Sequence, residues 1–359
     1  MLTNKNYKIV APGRVFLFGE HSDYLGLDVI AMAINRNLTI NIEPTNNEFF
    51  EINYLDLEEK DNFPKNEILT YRHSRDYVRS AYNVLLRQDI IPKRSAKMTI
   101  SSDIPIASGL SSSSALSVAA ILAFSSLAGT PLTKKEIVGY AFEAEVKEFG
   151  ESGGKMDHFA SVYGGIIHVT FQQQIELQEI NLNLSDFVIG DSKEKKADTV
   201  ETIKYIRTMV EKGYQLLSKE ILSFNHRTTS LKEVNEHIDK LPKTVQKLTL
   251  ASLKNRDITK KALIFLQSNN FSAQKFGSLL NQHHEILRND FSRSTKKIER
   301  MIQAAKQAGA LGCKINGSGG GGTMVAYAPE KVENVIEAIE NVGGKAFIVT
   351  QSNGASIVC

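Results

Sequence analysis

Residues 105–115 form the first of three short segments whose residue types are suited to chemistry on phosphates or hydroxyls. They read ProIleAlaSerGlyLeuSerSerSerSerAla and run directly into an apolar segment typical of a buried helix. Small residues let a backbone approach a ligand closely, and a helix start offers unpaired N–H groups and a positive dipole end. This combination predicts an anion site suited to phosphates. The alternative is a flexible serine-rich turn before a core helix, and the serine run alone does not separate the two.

The second segment is the glycine-rich stretch at residues 317–323, GlySerGlyGlyGlyGlyThr. It formally matches the dinucleotide-binding pattern through Gly317, Gly319 and Gly322, but that pattern needs a helix after it. Here the next residues read as a strand, so we predict a glycine turn between two strands that borders a ligand. The alternative is a purely structural loop. A stretch with so many glycines loses much conformational entropy when it becomes ordered, and this favours a functional reason for the glycines over a purely structural one. Neither segment is a Walker A loop, because no GlyLysSer or GlyLysThr occurs in the chain.

The third segment, residues 11–24, places four polar side chains directly after an apolar strand. They are Arg14, Glu20, His21 and Asp23. A polyol needs such a cluster of donors and acceptors to be oriented in a site. The alternative is a solvated turn with a hydrogen-bonded histidine, and the segment taken alone favours that alternative.

Length and composition limit the class of protein. The chain has 359 residues, of which 42% are hydrophobic and 23% charged, so we expect a folded protein of two domains. The net charge of +3 is too mild to predict nucleic-acid binding. Two cysteines fit a reducing compartment, and the start carries no apolar segment like that of a signal peptide. We therefore expect a cytoplasmic protein with no membrane partner.

The elements that must position these segments follow from periodicity. Residues 115–124 are apolar but shorter than the roughly 20 residues that a bilayer requires, so they predict a core helix. A mixture of strands and helices without regular alternation predicts an α+β fold. The pattern predicts strands at 7–18, 29–42, 97–101, 166–171, 314–316, 323–328 and 345–349, and helices at 73–88, 112–127, 134–149, 155–164, 330–342 and across much of 205–305.

At the three segments the sequence resembles the GHMP kinase superfamily, and galactokinases most closely. The resemblance implies a two-domain fold, with a domain like ribosomal protein S5 domain 2 at residues 1–185 and a ferredoxin-like domain at 186–359. It implies ATP-dependent transfer of the γ-phosphoryl group to a sugar hydroxyl, with galactose as the first candidate and a sugar 1-phosphate as product. Another sugar, a uronic acid and mevalonate stay open as acceptors, and so does a ligand sensor without turnover. The sequence leaves open whether the protein is a monomer or a dimer.

Two intermediate stretches extend the resemblance, residues 144–157 and 277–290. In the first, a glutamate and a Met-Asp pair stand at the spacing that galactokinases show. The resemblance implies that Asp157 is the general base with Arg14 beside it, and that Ser113 and Glu145 hold Mg²⁺. It assigns the ATP phosphates to the backbone of Ser108, Gly109, Leu110, Ser111, Ser112, Ser113 and Ser114, and the acceptor to Glu20, His21, Asp23, Gly319 and Gly320.

The sequence departs from the galactokinase pattern at several positions. Galactokinases carry a Tyr-Asn-x-Arg segment after the catalytic aspartate, and its tyrosine contacts the sugar. Here Tyr205 is followed by Arg207 two positions on rather than three, which leaves one side of the acceptor pocket unassigned. The lysines at 193, 195 and 196 predict a solvated face, with contact to an anionic substrate as the alternative. Single replacements of the pattern occur at Phe16, Ser22, Leu25, His158 and Gly320.

Overall fold

The first of two β-sheets contains the first and the last strand of the described chain. The computed structural model of the protein describes residues 5–105, 108–196 and 199–359. Strands β1 to β7 span Tyr7–Phe18, Val29–Thr45, Phe49–Tyr54, Glu59–Pro64, Ser95–Ser102, Ile166–Thr170 and Glu176–Ile180, and β12 spans Ser356–Val358. Their order is β12-β1-β2-β5-β3-β4, and β6 pairs with β2 and carries β7 at its outer edge. The β3–β5 pair is parallel and the other pairs are antiparallel.

Four helices complete the first unit: α1 (Tyr77–Leu86), α2 (Ser112–Ala128), α3 (Lys134–Phe142) and α4 (Met156–Tyr163). Helix α2 is apolar on all sides, which is typical of a buried helix. It packs against β1 and β2 and against the other three helices. Because α2 is enclosed in this way, the serine-rich loop before it is anchored to the centre of the core.

The second sheet has the strand order of a ferredoxin-like fold. Strands β8 (Phe187–Asp191), β9 (Gly312–Ile315), β10 (Thr323–Tyr327) and β11 (Lys345–Val349) are antiparallel in the order β11-β8-β10-β9. Numbered along the chain, that order is fourth, first, third, second. Helices α9 (Lys296–Gln307) and α10 (Val332–Asn341) pack against this sheet.

Four further helices lie between β8 and α9 in the chain. They are α5 (Thr199–Glu220), α6 (Leu231–His237), α7 (Lys243–Leu266) and α8 (Ala273–Glu285). Helix α7 packs against β1 and β2, and α8 packs against both β1 and β9. These helices therefore connect the two sheets, which brings the glycine-rich turn between β9 and β10 close to the serine-rich loop.

The predicted elements agree with the structure except at some ends, and several strands were not predicted. The helix predicted at 134–149 is α3 followed by a π-helical turn at Glu143–Lys147. The hairpin β3–β4 and the strands β7, β8 and β12 were not predicted, since short strands without clear alternation give a weak signal. The predicted domain boundary at residue 185 lies between β7 and β8 and stays a prediction, and β12 returns across it to pair with β1.

Among the described residues, no helix is both long enough and apolar enough to cross a membrane. The predicted core helix at 115–124 lies within α2 and is mostly buried. Cytoplasmic location stays a prediction.

Two glycines in helices test the packing, because replacing each by alanine should change the free energy of unfolding in opposite directions. Gly277 in α8 lies against β9, and a Cβ there would come within 2.6 Å of the Leu311 backbone. Gly139 in α3 has nothing within 4 Å of the same position. We expect Gly277→Ala to lower the free energy of unfolding by about 1–3 kcal/mol through overpacking. Gly139→Ala should raise it by about 0.5–1 kcal/mol because alanine favours helix. Denaturant unfolding of both variants measures this, and equal effects would contradict the close approach of α8 and β9.

Candidate active site

A cleft of about 760 Å³ is lined by residues from both halves of the molecule. Its walls are formed by β1 and the loop after it, the serine-rich loop, the π-helical turn, the start of α4, the first turn of α5 and the glycine-rich turn. Residues 106–107 of the predicted serine-rich segment, and residues 197–198 before α5, lie outside the described residues. Most of the predicted site residues thus share one cavity.

The Arg14–Asp157 ion pair lines this cleft. Arg14 Nε and Nη2 each donate to one Asp157 carboxylate oxygen at 2.7 Å, which is the strong bidentate geometry. Arg14 is buried, and its guanidinium lies 4.2 Å from the ring centroid of Phe16. Burial alone would raise the pKa of Asp157, but the charge and hydrogen bonds of Arg14 outweigh it and hold that pKa below its ordinary value. Asp157 is therefore an ionised carboxylate that faces the cleft and can accept a proton.

The serine-rich loop is held against Arg14 through its backbone. Arg14 Nη1 donates to the Gly109 carbonyl at 2.5 Å, and Asn316 Nδ2 donates to the same oxygen at 2.8 Å. Thr323 Oγ1 donates to the Ser108 carbonyl at 2.9 Å. Residues 316 and 323 flank the glycine-rich turn, so the two ligand-binding loops predicted from sequence are joined to each other.

The start of α2 opens into the cleft. Ser111 has a left-handed backbone with φ of 66°, which is uncommon for a non-glycine residue and is concentrated at functional sites. In the predicted phosphate set, the Leu110 side chain is fully buried in the core and its carbonyl accepts from Arg14 N at 3.1 Å, so its predicted backbone contact with a phosphate stays a prediction. The other predicted phosphate residues line the cleft: Ser108, Gly109, Ser111, Ser112, Ser113 and Ser114.

Glu20 is tied to a buried lysine that sequence reasoning missed. Lys314 Nζ, on β9, forms an ion pair with Glu20 and donates to the carbonyls of Phe16 at 3.1 Å and Ile315 at 2.9 Å. Burial raises the pKa of Glu20 although Lys314 opposes this shift, and burial lowers the pKa of Lys314. The signal for this pair was a single charged residue inside a short apolar strand, Cys313 to Ile315. Glu20 lines the cleft and also joins the two sheets.

His21 and Asp23 lie beside Glu20 in the same wall of the cleft. His21 has φ of 63°, its Nδ1 lies 2.7 Å from the Tyr24 hydroxyl, and its ring stacks on Phe291. Burial, with a contribution from the Arg293 charge, lowers the pKa of His21 to about 3, so the ring is neutral. Asp23 accepts from the backbone N–H groups of Tyr24 at 3.0 Å and Met156 at 3.2 Å. Burial and the neighbouring Asp157 raise the pKa of Asp23 to about 6.

The glycine-rich turn reaches the cleft at its first two residues. Gly317 and Ser318 line the cleft, whereas Gly319 and Gly320, the predicted acceptor contacts, are outside its lining. Both have positive φ, and a Cβ on either would collide with Arg293. Arg293 Nε also donates to the Ser318 carbonyl at 2.8 Å. These two glycines therefore leave room for Arg293, and their contact with the acceptor stays a prediction.

Lys196 also departs from the prediction of a solvated lysine face. Lys193 and Lys195 are exposed, but Lys196 lines the cleft and its Nζ lies 3.3 Å from Ser318 Oγ. The interpretation as a solvated face is correct for two of the three lysines and wrong for Lys196. Nothing in the local composition distinguishes it, since the position depends on how β8 leads into α5.

The first turn of α5 forms part of the cleft wall. Tyr205, considered as a counterpart of the galactokinase tyrosine, is 56% exposed and is not part of the cleft lining. Arg207 next to it pairs with Glu211 on the same helix at 2.9 Å. The cleft residues from this turn are Thr199, Val200, Glu201 and Ile203.

The residues proposed to hold a magnesium ion fit that ion in chemistry. Ser113 and Glu145 both line the cleft and offer hydroxyl and carboxylate oxygens, which are the donors that Mg²⁺ prefers. Glu145 Oε2 lies 2.6 Å from His158 Nε2, which leaves the other carboxylate oxygen for a cation. Within the described part of the chain, no group of three or more His, Cys, Asp and Glu side chains is arranged to hold a metal. Two protein oxygens suit Mg²⁺, which usually takes its other ligands from phosphates and water.

Comparison with known proteins agrees with this fold and cleft. Models of the GHMP kinase N-terminal and C-terminal domains match residues 76–165 and 265–345, and the galactokinase galactose-binding signature matches residues 3–44. The chain is 31% identical to a mevalonate kinase of Pyrococcus furiosus over 347 residues, covering 94% of each. It is 29% identical to a galactokinase of Thermotoga neapolitana over 343 residues, covering 93% of each.

Solved structures are similar over nearly the whole length. A galactokinase of Lactococcus lactis complexed with galactose has a TM-score of 0.87 and 22% identity, covering 99% of this chain and 95% of that one. A mevalonate kinase of Methanococcus jannaschii has a TM-score of 0.74 and 23% identity, covering 97% of this chain and 99% of that one. The chain belongs to the GHMP kinase family, and the predicted two-domain α+β fold is confirmed.

The Glu20–Lys314 pair yields a prediction about stability. Lys314→Met removes the partner of a buried carboxylate, so we expect the free energy of unfolding to fall by about 3–5 kcal/mol. Adding Glu20→Gln removes the unpaired charge, so the double variant should regain most of that loss. Chemical denaturation at pH 7 measures both variants. A double variant as unstable as Lys314→Met would contradict the pairing.

The proximity of two aspartates yields a prediction about protonation. A neighbouring negative charge raises a carboxyl pKa, so its removal lowers that pKa. In a carbon-13 NMR titration, Asp23 should titrate near pH 6 in the native protein. Asp157→Asn should move this midpoint to lower pH, while Asp103→Asn, at a half-exposed surface carboxylate, should leave it in place. An Asp23 midpoint that is the same in all three proteins would show that the two carboxylates do not interact.

Proposed function

We propose that the protein is an ATP-dependent phosphotransferase that moves the γ-phosphoryl group of ATP to a hydroxyl of a sugar. Galactose is the first candidate, with a sugar 1-phosphate as product. The observation that carries the proposal is the Arg14–Asp157 pair, which faces a cleft that also contains the serine-rich start of α2. A proton acceptor and an anion site in one cavity are the two parts that phosphoryl transfer to an alcohol requires.

The proposed reaction uses these parts in sequence. The backbone N–H groups and hydroxyls at the start of α2 bind the triphosphate. The acceptor hydroxyl oxygen attacks the γ-phosphorus, its proton passes to the Asp157 carboxylate, and the bond to the β,γ-bridging oxygen breaks to release ADP. Arg14 positions Asp157 and stabilises charge on the transferring group. Mg²⁺ held by Ser113 and Glu145 would neutralise phosphate charge when bound.

The cleft wall that carries Glu20, His21 and Asp23 is called the acceptor wall below. Its charge supports a neutral polyol as the acceptor. Glu20, Asp23 and Asp157 place three carboxyl groups along this side of the cleft. Carboxylates accept hydrogen bonds from hydroxyl groups but repel a carboxylate on the ligand. The match of residues 3–44 to the galactokinase galactose-binding signature supports the same choice.

Mevalonate is the second candidate, and specific observations favour it. A mevalonate kinase is the relative with 31% identity, and the tyrosine expected of a galactokinase lies outside the cleft lining. Another sugar or a uronic acid fits the same proposed chemistry. A sensor that binds ligand without turnover would not need the Arg14–Asp157 geometry, so we place it last.

Product analysis tests the proposal. The protein is incubated with ATP, Mg²⁺ and, separately, galactose, other hexoses, galacturonate or mevalonate, and the product is read by mass spectrometry. We expect a hexose monophosphate and stoichiometric ADP, with galactose as the most efficient acceptor. Turnover of mevalonate alone would overturn the sugar assignment.

An Asp157→Asn variant tests the assigned base. It keeps the shape of the side chain but removes the proton acceptor, so kcat should fall at least about 100-fold. Binding of a non-hydrolysable ATP analogue should change little, because the phosphate contacts lie on the serine-rich loop. Asp103→Asn is the matched control and should keep full turnover. Full turnover by Asp157→Asn would remove this residue from the mechanism.

A further inference from the structure

Lys196 places a positive charge in the cleft that has no carboxylate partner within the described residues. Its ammonium group donates one hydrogen bond, of 3.3 Å, to the Ser318 hydroxyl. Among the described residues, no carboxylate oxygen lies within 4.0 Å of Nζ. A partly buried charge that lacks a partner is costly, and such groups are commonly paired with a ligand instead.

The chain makes room for this side chain at two glycines. A Cβ on Gly109, in the serine-rich loop, would overlap Lys196 Nζ. A Cβ on Gly322, at the end of the glycine-rich turn, would overlap Lys196 Cε. The lysine therefore passes between the two loops, and its ammonium group ends at the phosphate side of the cleft.

The contacts of the residues around Lys196 Nζ indicate which part of the cleft the ammonium group occupies. The carbonyl of Gly109 accepts from Arg14 Nη1 at 2.5 Å, so the residue against which Lys196 packs also contacts the guanidinium. Asp23, in the acceptor wall, accepts from the N–H groups of Tyr24 and Met156 and has no bond to Lys196. Lys196 thus lies beside Gly109 of the predicted anion site, close enough to feel the charges of Glu20 and Asp157, and among the described residues it forms no ion pair with either.

We propose that Lys196 is a catalytic residue that contacts the γ-phosphoryl group of the bound nucleoside triphosphate and stabilises its charge during transfer. The inference rests on the proposed function, because it assigns the triphosphate to this cleft. A point charge with three donors suits phosphate oxygens, and Arg14 already uses Nε, Nη1 and Nη2 to bind Asp157 and the Gly109 carbonyl. Two cations would then flank the transferring group, one of them supplied by the segment before α5.

The groups around Lys196 make its charge, and with it the proposed binding of the triphosphate, dependent on pH. Burial, with a further contribution from the Arg14 charge, lowers the pKa of Lys196 to about 8. The ammonium form is present at pH 7 and is lost as the pH rises through that value. A bound triphosphate would raise this pKa, because it favours the charged form. The charged and titratable groups around Lys196 are Arg14, Glu20, His21, Asp157 and Arg293.

Nucleotide binding without acceptor tests the proposal separately from the function. We expect Lys196→Met to weaken binding of a non-hydrolysable ATP analogue with Mg²⁺ by about tenfold or more, since a hydrogen bond to a charged group is lost. Binding of ADP should change less than about twofold, because ADP lacks the γ-phosphate. Lys195→Met, at the exposed neighbour, is the matched control and should bind both nucleotides normally. Calorimetric titration measures the affinities, and thermal unfolding shows whether each variant is folded.

Lys196→Arg is the second variant and keeps the positive charge. In the native protein, affinity for the ATP analogue should fall as the pH rises above about 8, and in Lys196→Arg this fall should move to higher pH. An equal loss of ATP-analogue and ADP affinity in Lys196→Met would overturn the γ-phosphate assignment. A raised KM for the acceptor with unchanged kcat would also overturn it and would place Lys196 on an anionic acceptor. Failure of every acceptor in the product analysis would refute the proposed function and leave the nucleotide result standing.

Discussion

The bidentate contact between Arg14 and Asp157 is the interaction on which the rest of the cleft depends. The same guanidinium holds the carboxylate ionised and fixes the Gly109 carbonyl of the serine-rich loop. Asn316, beside the glycine-rich turn, donates to that carbonyl as well and accepts from Phe16 N at 3.0 Å. One buried arginine thus sets the distance between a proton acceptor and an anion site, and the second sheet holds it there.

The charged side chains differ between two sides of the cleft, and this difference distinguishes a side for the acceptor from a side for the triphosphate. Glu20 and Asp23 lie on the side formed by the loop after β1, and Arg14 and Lys196 lie against Gly109 on the side of the serine-rich loop. A neutral acceptor on the first side and a polyanionic donor on the second match that distribution. Glu20 belongs to the first side but is paired with Lys314 from the other sheet, so the acceptor wall and the contact between the sheets share one ion pair. A change in this pair would alter both stability and acceptor position.

Much of this arrangement was predictable from residues that are close in sequence. The strand ending at Phe18, the helix beginning at Ser112 and the glycine-rich turn before Thr323 were predicted because each has a strong local pattern. Lys196, Arg293 and Lys314 were not assigned to the cleft or its support, because their roles depend on contacts between segments distant in sequence. Gly319 and Gly320 were assigned to the acceptor for a related reason. Their composition predicted a close approach, but the sequence did not show that the approaching group is Arg293.

The most direct test of the account is a crystal structure of the protein with Mg²⁺ and a non-hydrolysable ATP analogue. The account predicts that the triphosphate lies over Ser111–Ser114 at the start of α2, with its terminal phosphate between the Arg14–Asp157 pair and the Lys196 ammonium group. A triphosphate bound outside this cleft, or bound with its terminal phosphate directed away from Asp157, would contradict the account.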